Sequence, residues 1–122
     1  MAPSPTQHTG HHTEHLVARW LEQHGLCVVE RNLQCRAGEI DLVALDGPVL
    51  VFVEVRHRRS SSHGGAAASV NRSKQRRLLR AARYFLPRLA LQHCGGRLPA
   101  CRFDVVCMQN GDLQWIRHAF TE

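Results

Sequence analysis

Two apolar runs joined by a turn, residues 39–46 and 49–56, constrain the fold of this chain more than any other feature of its sequence. A glycine and a proline between such runs, here Gly47-Pro48, are typical of a β-hairpin. The second run, from Val49 to Val55, is apolar at both alternating positions, which is the pattern of a strand covered on both faces. We therefore expect a central sheet strand here, with a layer of structure on each side.

Three carboxylates lie on these two strands: Glu39 and Asp41 on the first, and Glu54 on the second. Because side chains two positions apart on a strand share a face, Glu39 projects with Asp41, and Glu54 projects with Arg56. A loop of two or four residues would put Glu54 opposite Asp41 or Glu39 on a shared face, whereas a loop of three would not.

The carboxylate of Glu54, at the end of a buried strand, must be paired, protonated or bound to metal, because an isolated buried charge costs several kcal/mol. One interpretation is a divalent-metal site shared by the three carboxylates. The other is an ordinary ion pair between Glu54 and Arg56, with Glu39 and Asp41 on a solvated edge. The spacing leaves both interpretations open.

The composition indicates one basic domain. A chain of 122 residues is long enough for a single core, and we expect a flexible leader over residues 1–10 and one domain over residues 11–122. The net charge is +6, and because Lys74 is the only lysine, fifteen of the sixteen basic residues are arginine. Arginine in this excess favours a partner that carries phosphate groups, such as nucleic acid.

The cysteine pattern and the absence of long apolar runs indicate a cytoplasmic protein. Five cysteines, an odd number without a Cys-x-x-Cys pair, predict reduced thiols in the core. The N-terminus has no signal-peptide pattern, and no apolar run reaches the roughly 18 residues of a membrane span. The cysteines are Cys27, Cys35, Cys94, Cys101 and Cys107.

A helix is predicted from about Thr13 to His24 by apolar residues at helical spacing, namely Leu16, Val17, Trp20 and Leu21. Glu14 precedes Val17 by three positions and Leu21 by seven, so it should point inward from the first turn. A solvated glutamate favoured there by the helix dipole is the alternative.

The remaining elements follow from local patterns. A strand at the sheet edge is predicted over Leu26–Cys35, and a hairpin around Asn110-Gly111 closes the sheet. A small, polar segment of about fifteen residues after Arg56 predicts a mobile loop. A second helix should start near Asn71 or Ser73 and be kinked or ended by Pro87.

Arginines recur on the outer face of this second helix, and no acidic residue four positions away balances them. Together with two arginines at the start of the preceding loop, they predict contacts to a phosphate backbone. Lys74 lies on the inward side of the first turn, where its ammonium could reach the hairpin carboxylates, either in a salt bridge or in a catalytic role. The predicted nucleic-acid contacts are Arg58, Arg59, Arg72, Arg76, Arg80 and Arg83.

Four histidines near the N-terminus have helical spacing that could suit a transition metal. The His-Glu-x-x-His arrangement of zinc proteases is missing, so an exposed polar helix face is the favoured interpretation. Asp104, on the strand that begins near Arg102, is expected to have a structural role, pairing with an arginine of the core. The histidines are His8, His11, His12 and His15.

Short motifs are spread over nearly the whole chain: residues 10–14, 31–32, Gly38-Glu39-Ile40-Asp41-Leu42, Phe52-Val53-Glu54-Val55-Arg56, 64–70, 73–75 and 102–106. With the order of elements, they resemble the PD-(D/E)XK nuclease superfamily and, within it, the YraN family of predicted endonuclease-like proteins, which resemble Holliday junction resolvases. The resemblance implies an α/β fold with a restriction-endonuclease-like αβββαβ core, in which helices flank a mixed central sheet.

Carried over by position, the resemblance implies a site for Mg²⁺ or Mn²⁺ held by Asp41, Glu54, the backbone carbonyl of Val55, and Glu14. It implies catalytic roles for Asp41, Glu54 and the residues at Arg56 and Lys74. Supporting roles fall to Glu39 and Gln75. A resolvase-like activity also implies a homodimer, since it needs paired sites.

Arg56 departs from the superfamily pattern, which has lysine at this position. A guanidinium cannot shuttle a proton at neutral pH, although it can hold a phosphate oxygen, and Lys74 could then position the attacking water. The leading hypothesis is a metal-dependent endonuclease acting on DNA, including branched or processed DNA, with low sequence specificity. The alternatives are a non-catalytic nucleic-acid-binding protein and an adaptor that docks an acidic protein.

Overall fold

The computed structural model describes residues 5–58 and 70–121, with side chains over residues 12–57 and 70–121. Two helices and five strands follow one another in the order that the sequence predicted. They are helix α1 (Pro5–Gln23), strands β1 (Cys27–Cys35), β2 (Gly38–Asp46) and β3 (Val49–Arg58), helix α2 (Arg72–His93), and strands β4 (Cys101–Gln109) and β5 (Asp112–Phe120).

The strands form one mixed sheet in the order β1-β2-β3-β4-β5. The pairs β1–β2, β2–β3 and β4–β5 are antiparallel, whereas β3 and β4 are parallel, with α2 between them in the chain. The apolar run of residues 49–55 therefore forms the central strand, and residues 27–35 form an edge, as predicted. The α/β fold expected from the sequence is confirmed.

Each face of the sheet is covered by one helix. Buried side chains of β3 alternate between the two layers, so that Phe52 packs towards α2 while Val51 and Val53 pack towards α1. The α2 layer also contains a stack of Phe52, Phe103 and Phe120, with ring centroids 5.2 and 4.9 Å apart. Apolar residues at both parities of β3 thus reflect burial on both sides.

The loop between β2 and β3 has two residues, because Asp46 pairs with Val49. Gly47 has a φ of 58°, which favours glycine because its lack of a Cβ makes this conformation easy to adopt. Continuing this register places Asp41 across from Glu54, which is one of the two alternatives that the sequence left open. The paired residues end one step earlier, at Leu42 and Val53.

Helix α1 begins earlier than predicted, at Pro5 instead of about Thr13. Residues 5–10, expected to be a leader, therefore have helical backbone. Glu14 consequently lies well inside the helix, and the explanation of a first-turn glutamate favoured by the helix dipole does not apply. The apolar stripe is also shifted, because Ala18 is fully buried whereas Leu16 is 38% exposed.

Three other expectations need correction or fall outside the described residues. Pro87 does not end α2, which continues to His93. All five cysteines lie in the described part and form no disulfide, but Cys27 and Cys101 are exposed because each begins a strand at its solvated end. Most of the predicted loop, including Arg59, falls in residues 59–69, outside the described residues.

No helix of the described ranges is long and apolar enough to cross a membrane.

Candidate functional site

The two strands of the hairpin separate at Asp41. Pairing of β2 with β3 ends at Leu42, while β2 stays paired with β1 down to Gly38. Ile40 and Val43 are three residues apart and yet pack in the same layer, so the alternation of β2 is interrupted between them. Asn32, the residue of β1 across from Asp41, has a φ of 54°, a left-handed conformation that asparagine tolerates better than most residues.

This irregularity directs the carboxylate of Asp41 at the neighbouring strand. Its Oδ2 accepts a hydrogen bond of 2.8 Å from the backbone N–H of Val55, between the two charged residues Glu54 and Arg56. Asp41 is only 9% exposed. A side chain therefore replaces the next backbone bond of the hairpin and lies at the point where the strands part.

Two further carboxylates converge on Asp41 from different elements. Oxygens of Glu14 on α1, Glu39 on β2 and Asp41 lie within 4.8 Å of one another. Glu14 is partly buried, with one side-chain oxygen fully covered, and Glu39 is exposed. We call Glu14, Glu39 and Asp41 the carboxylate cluster. The inward direction predicted for Glu14 is confirmed, and Glu39 lies closer to this group than its supporting role suggested.

The charges of the cluster raise the cost of ionising Asp41. Burial, then repulsion from Glu54 and, more weakly, from Glu14 and Glu39, raises the pKa of Asp41 to about 8, against the opposing hydrogen bond from Val55. A carboxylate that ordinarily loses its proton near 3.8 thus competes for one near neutral pH.

Glu54 lies beside the cluster and makes two ion pairs. Its Oε1 is 3.4 Å from Nζ of Lys74 and 3.7 Å from Nη1 of Arg56, and the residue is 5% exposed. Its Oε2 is buried and accepts no hydrogen bond from a described residue. Burial raises the pKa of Glu54, although Lys74 and Arg56 oppose this effect. The ion pair proposed as the simple explanation exists, but it leaves the second oxygen unsatisfied.

The start of α2 brings Lys74 to Glu54. Asn71 caps the helix by accepting the backbone N–H of Lys74 at 2.8 Å, and the Gln75 amide donates to the carbonyl of Val70 at 3.0 Å. Gln75 therefore fastens the beginning of the helix. The cap therefore fixes the backbone of Lys74. Its side chain points inward to the hairpin carboxylates, as the sequence predicted.

The basic residues divide into two groups. Arg72, Arg76, Arg80 and Arg83 are exposed on α2, and Arg72 and Arg76 border a groove with Phe120 at the end of β5. The side chain of Arg58 and the whole of Arg59 lie outside the described residues. Sequence reasoning missed Arg77, which borders a groove with Glu39 and Lys74. Its position three residues after Lys74 could have indicated this, since residues so spaced are neighbours on a helix.

Other predicted residues lie away from the site. His12 and His15 are exposed, and Nδ1 of His15 is 3.3 Å from Nη1 of Arg31, whereas the side chains of His8 and His11 are outside the described ranges. Asp104 has the structural role expected of it, because it binds Arg102 through both carboxylate oxygens.

Comparison with known proteins places the chain in a family. The family model described as "Uncharacterised protein family UPF0102" matches residues 13–108. A UPF0102 protein of Bordetella petrii is 55% identical over 118 residues, which cover 97% of this chain and 73% of the relative. A second, from Bordetella parapertussis, is 53% identical over 96% of this chain and 66% of its own length.

A UPF0102 protein of Aeromonas hydrophila is 49% identical over 111 residues, covering 91% of this chain and 83% of the relative. The chain thus spans from about two thirds to more than four fifths of the lengths of these three relatives. The family match includes all three residues of the carboxylate cluster as well as Glu54 and Lys74. The chain belongs to the uncharacterised protein family UPF0102, the YraN family.

Proposed function

We propose that this protein is a metal-dependent endonuclease-like enzyme that hydrolyses phosphodiester bonds in DNA, including branched or processed DNA. The observation that carries the proposal is the convergence of Glu14, Glu39 and Asp41 within 4.8 Å, beside the buried Glu54. Such a group of acids repels itself unless a proton or a cation neutralises it. The net charge of +6 on the whole chain favours an anionic partner.

The donor atoms fit Mg²⁺ or Mn²⁺. All of them are oxygens, which these cations prefer, and Oε2 of Glu54 is buried without a hydrogen bond from a described residue. Asp41 and Glu54 would hold the cation with the carbonyl of Val55 and Glu14, and the position of Glu39 adds it to this set. When bound, the cation supplies charge stabilisation at a scissile phosphate and lowers the pKa of a water molecule.

The basic side chains at Glu54 would act on the substrate. A guanidinium does not transfer protons at neutral pH, so the role given to Arg56 is to bind a phosphate oxygen. Lys74 is the one lysine of the chain and lies 3.4 Å from Glu54, in reach of a group attacking the same phosphate. We assign the positioning of the attacking water to Lys74. In the superfamily pattern, the lysine that stands at position 56 would have this role.

The outward arginines of α2 would attract the nucleic acid over a longer range. They add positive charge to the exposed face of α2. Contacts of this kind recognise backbone and shape, so sequence specificity should be low. Two copies of the protein would be needed to cut both strands of a junction, which makes a homodimer part of the proposal.

A non-catalytic nucleic-acid-binding protein is the second candidate. The observation that favours it is the arginine at position 56, whose guanidinium cannot exchange a proton near pH 7. Arg56 and Lys74 also already pair with Glu54, so the site has an internal neutralising partner. A protein of this kind would retain the fold and the basic surface and lose turnover.

Cleavage assays with matched variants separate the two functions. Wild type is incubated with single-stranded, duplex and four-way DNA in Mg²⁺ or Mn²⁺, beside Asp41→Ala, Lys74→Ala and the control Asp112→Ala, which changes an exposed aspartate. The proposal predicts metal-dependent cleavage that Asp112→Ala retains. Asp41→Ala and Lys74→Ala should each lose at least about 100-fold, the typical value of a positioned catalytic group.

Binding without cleavage on every substrate would support the non-catalytic protein. Cleavage that survives in Asp41→Ala would place the activity elsewhere or in a contaminant. Cleavage that is lost in Asp41→Ala but unchanged in Lys74→Ala would keep the enzyme and remove the role given to Lys74.

A further inference from the structure

A groove of about 400 Å³ opens beside the carboxylate cluster, between the first half of α2 and the turn that joins β1 to β2. Gln34 and Cys35 line it from β1, Glu39 from β2, and Lys74 and Arg77 from α2. It shares Glu39 with the carboxylate cluster and Lys74 with the ion pair of Glu54. Whatever occupies the groove is therefore adjacent to the proposed site of hydrolysis.

Arg77 is the second cation in the lining of this groove, beside Lys74, which already pairs with Glu54. Its side chain is exposed, and it forms no ion pair or hydrogen bond with any described residue, Glu39 included. A Cβ added at Gly38 would lie 3.6 Å from Cβ of Arg77, so the base of the arginine rests against the start of β2. The backbone of Arg77 is thus fixed at the groove while its guanidinium is available to a ligand.

The direction of Arg77 differs from that of the outward arginines. Residues three apart on a helix are neighbours, so Arg77 lies on the same flank as Lys74. Arg80 is two residues from the buried Leu78 and, at about 100° per residue, points away from the sheet. Lys74 and Arg77 line the groove with Glu39, whereas Arg80 does not, although each of these side chains carries the same single positive charge.

The chemistry of the groove suits a phosphate group. A guanidinium is charged at all accessible pH values and binds two phosphate oxygens at once, and the Gln34 amide adds neutral donors. The volume is within the range of pockets that bind small molecules. Glu39 is the acidic group in the lining, and one of its carboxylate oxygens lies within 4.8 Å of oxygens of Glu14 and Asp41.

We propose that this groove is a phosphate subsite for a nucleic-acid strand and that Arg77 binds a backbone phosphate there, next to the carboxylate cluster. The proposal rests on the proposed function, because it takes nucleic acid as the ligand. It deepens that function by assigning the main contact with the nucleic-acid strand to the flank of α2 that faces the carboxylates, and only a weaker contribution to the outward arginines.

Equilibrium binding without divalent metal tests the subsite separately from cleavage. The probe is a fluorescein-labelled single-stranded oligodeoxynucleotide in EDTA, followed by anisotropy over a series of NaCl concentrations. Arg77→Ala is compared with Arg80→Ala, a matched loss of one exposed arginine from the same helix. We expect Arg77→Ala to raise the Kd about ten-fold and to lower the salt slope by about 0.7, as for one lost phosphate contact.

Arg80→Ala should raise the Kd by about two-fold, the smaller loss expected of an outward arginine that attracts the nucleic acid from a distance. Arg77→Lys, which keeps the charge without the fork of donors, should fall between wild type and Arg77→Ala. Equal losses in Arg77→Ala and Arg80→Ala would overturn the subsite, because Arg77 would then only add to the charge of the helix. So would a wild-type Kd in Arg77→Ala.

The outcome also distinguishes failure of the subsite from failure of the proposed function. If wild type binds the strand but cleaves no DNA in Mg²⁺ or Mn²⁺, hydrolysis is wrong, and the contrast between Arg77 and Arg80 still decides the subsite. If wild type binds no nucleic acid at all, both proposals are wrong.

Discussion

At the scale of single residues, Asp41 determines the electrostatics of the site. Its carboxylate is buried, faces Glu54, Glu14 and Glu39, and receives one backbone hydrogen bond, from Val55. Burial and repulsion together raise its pKa to about 8. The folded protein therefore binds this proton more tightly than the unfolded chain does, and the protonation state of Asp41 is coupled to stability.

The stability of the metal-free protein should fall with rising pH through Asp41. The stabilisation is fully present below the ordinary pKa of 3.8 and is lost as the pH rises through about 8. Asp41→Asn, which stays neutral, should match wild type near pH 4 and exceed it by a few kcal/mol near pH 9, because one pKa unit is worth about 1.4 kcal/mol. Urea unfolding in EDTA across this range measures the difference.

The control is Asp112→Asn, which changes an exposed aspartate, and its free energy of unfolding should follow that of wild type across this pH range. A difference between wild type and Asp41→Asn that stays constant with pH would show that Asp41 titrates at its ordinary value. Addition of Mg²⁺ or Mn²⁺ should reduce the difference at high pH, because a cation replaces the proton in neutralising the carboxylates.

At the scale of elements, β4 and β5 are joined around a buried carboxylate. Asp104 is 1% exposed and accepts four hydrogen bonds of 2.9–3.0 Å, two from Arg102, one from Nε1 of Trp115 and one from the backbone N–H of His118. The register of β5 shifts at this point, and His118 has a φ of 53°. The carboxylate thus satisfies the donors that the irregular strand would otherwise leave buried.

Asp104→Ala should therefore destabilise the fold strongly. Removing the acid leaves Arg102 with only its more exposed partner Asp46 and leaves two further donors without their acceptor. Breaking a buried pair in this way costs about 3–5 kcal/mol. Denaturant unfolding measures the loss, and Asp112→Ala at the start of β5 should stay within about 0.5 kcal/mol of wild type. A loss below about 1 kcal/mol in Asp104→Ala would contradict this account.

Most elements could be predicted from local signals, and the exceptions have physical causes. The two-residue turn at Gly47-Pro48 and the Asn71 cap are short-range features, so the sequence places them well. Pro87 was expected to kink or end α2, but the helix continues past it to His93, and its apolar face is packed on both sides of the proline, by Phe85 and Leu89. The break in β2 at Asp41 could not be predicted, because it is an irregularity of two strands at once: Asn32, across from Asp41 on β1, has a φ of 54°.

At the scale of the whole molecule, the net charge is positive, whereas the candidate site is acidic. The net charge is +6, while four acidic residues meet where β2 and β3 separate. A positive protein attracts a polyanion from a distance, and a local acidic group binds cations and not phosphate directly. The proposed function needs both properties in the same molecule.

Binding to DNA should weaken steeply with salt and depend little on sequence. For three or four phosphate contacts, the plot of log K against log salt concentration should have a slope between about −2 and −4. Two duplexes of unrelated sequence should have a Kd within about three-fold of each other, since contacts to phosphate carry no sequence information. Titrations at several NaCl concentrations give both quantities.

A slope near zero would exclude phosphate contacts as the source of affinity. It would favour the third interpretation of the basic surface, an adaptor that docks an acidic protein. A preference above about ten-fold for one duplex would show direct contacts to bases, which none of the residues assigned to the site supplies.

The sequence by itself determined the order of helices and strands, the central position of residues 49–55 and the membership of Glu14, Asp41 and Glu54 in one region, because these follow from short-range periodicity and from motifs that resemble a known family. Only the tertiary structure decided that Glu39 joins the carboxylate cluster and that Arg77 borders it. Both depend on how far two strands diverge and on which flank of a helix faces them, and such distances are set by packing between elements distant in the chain.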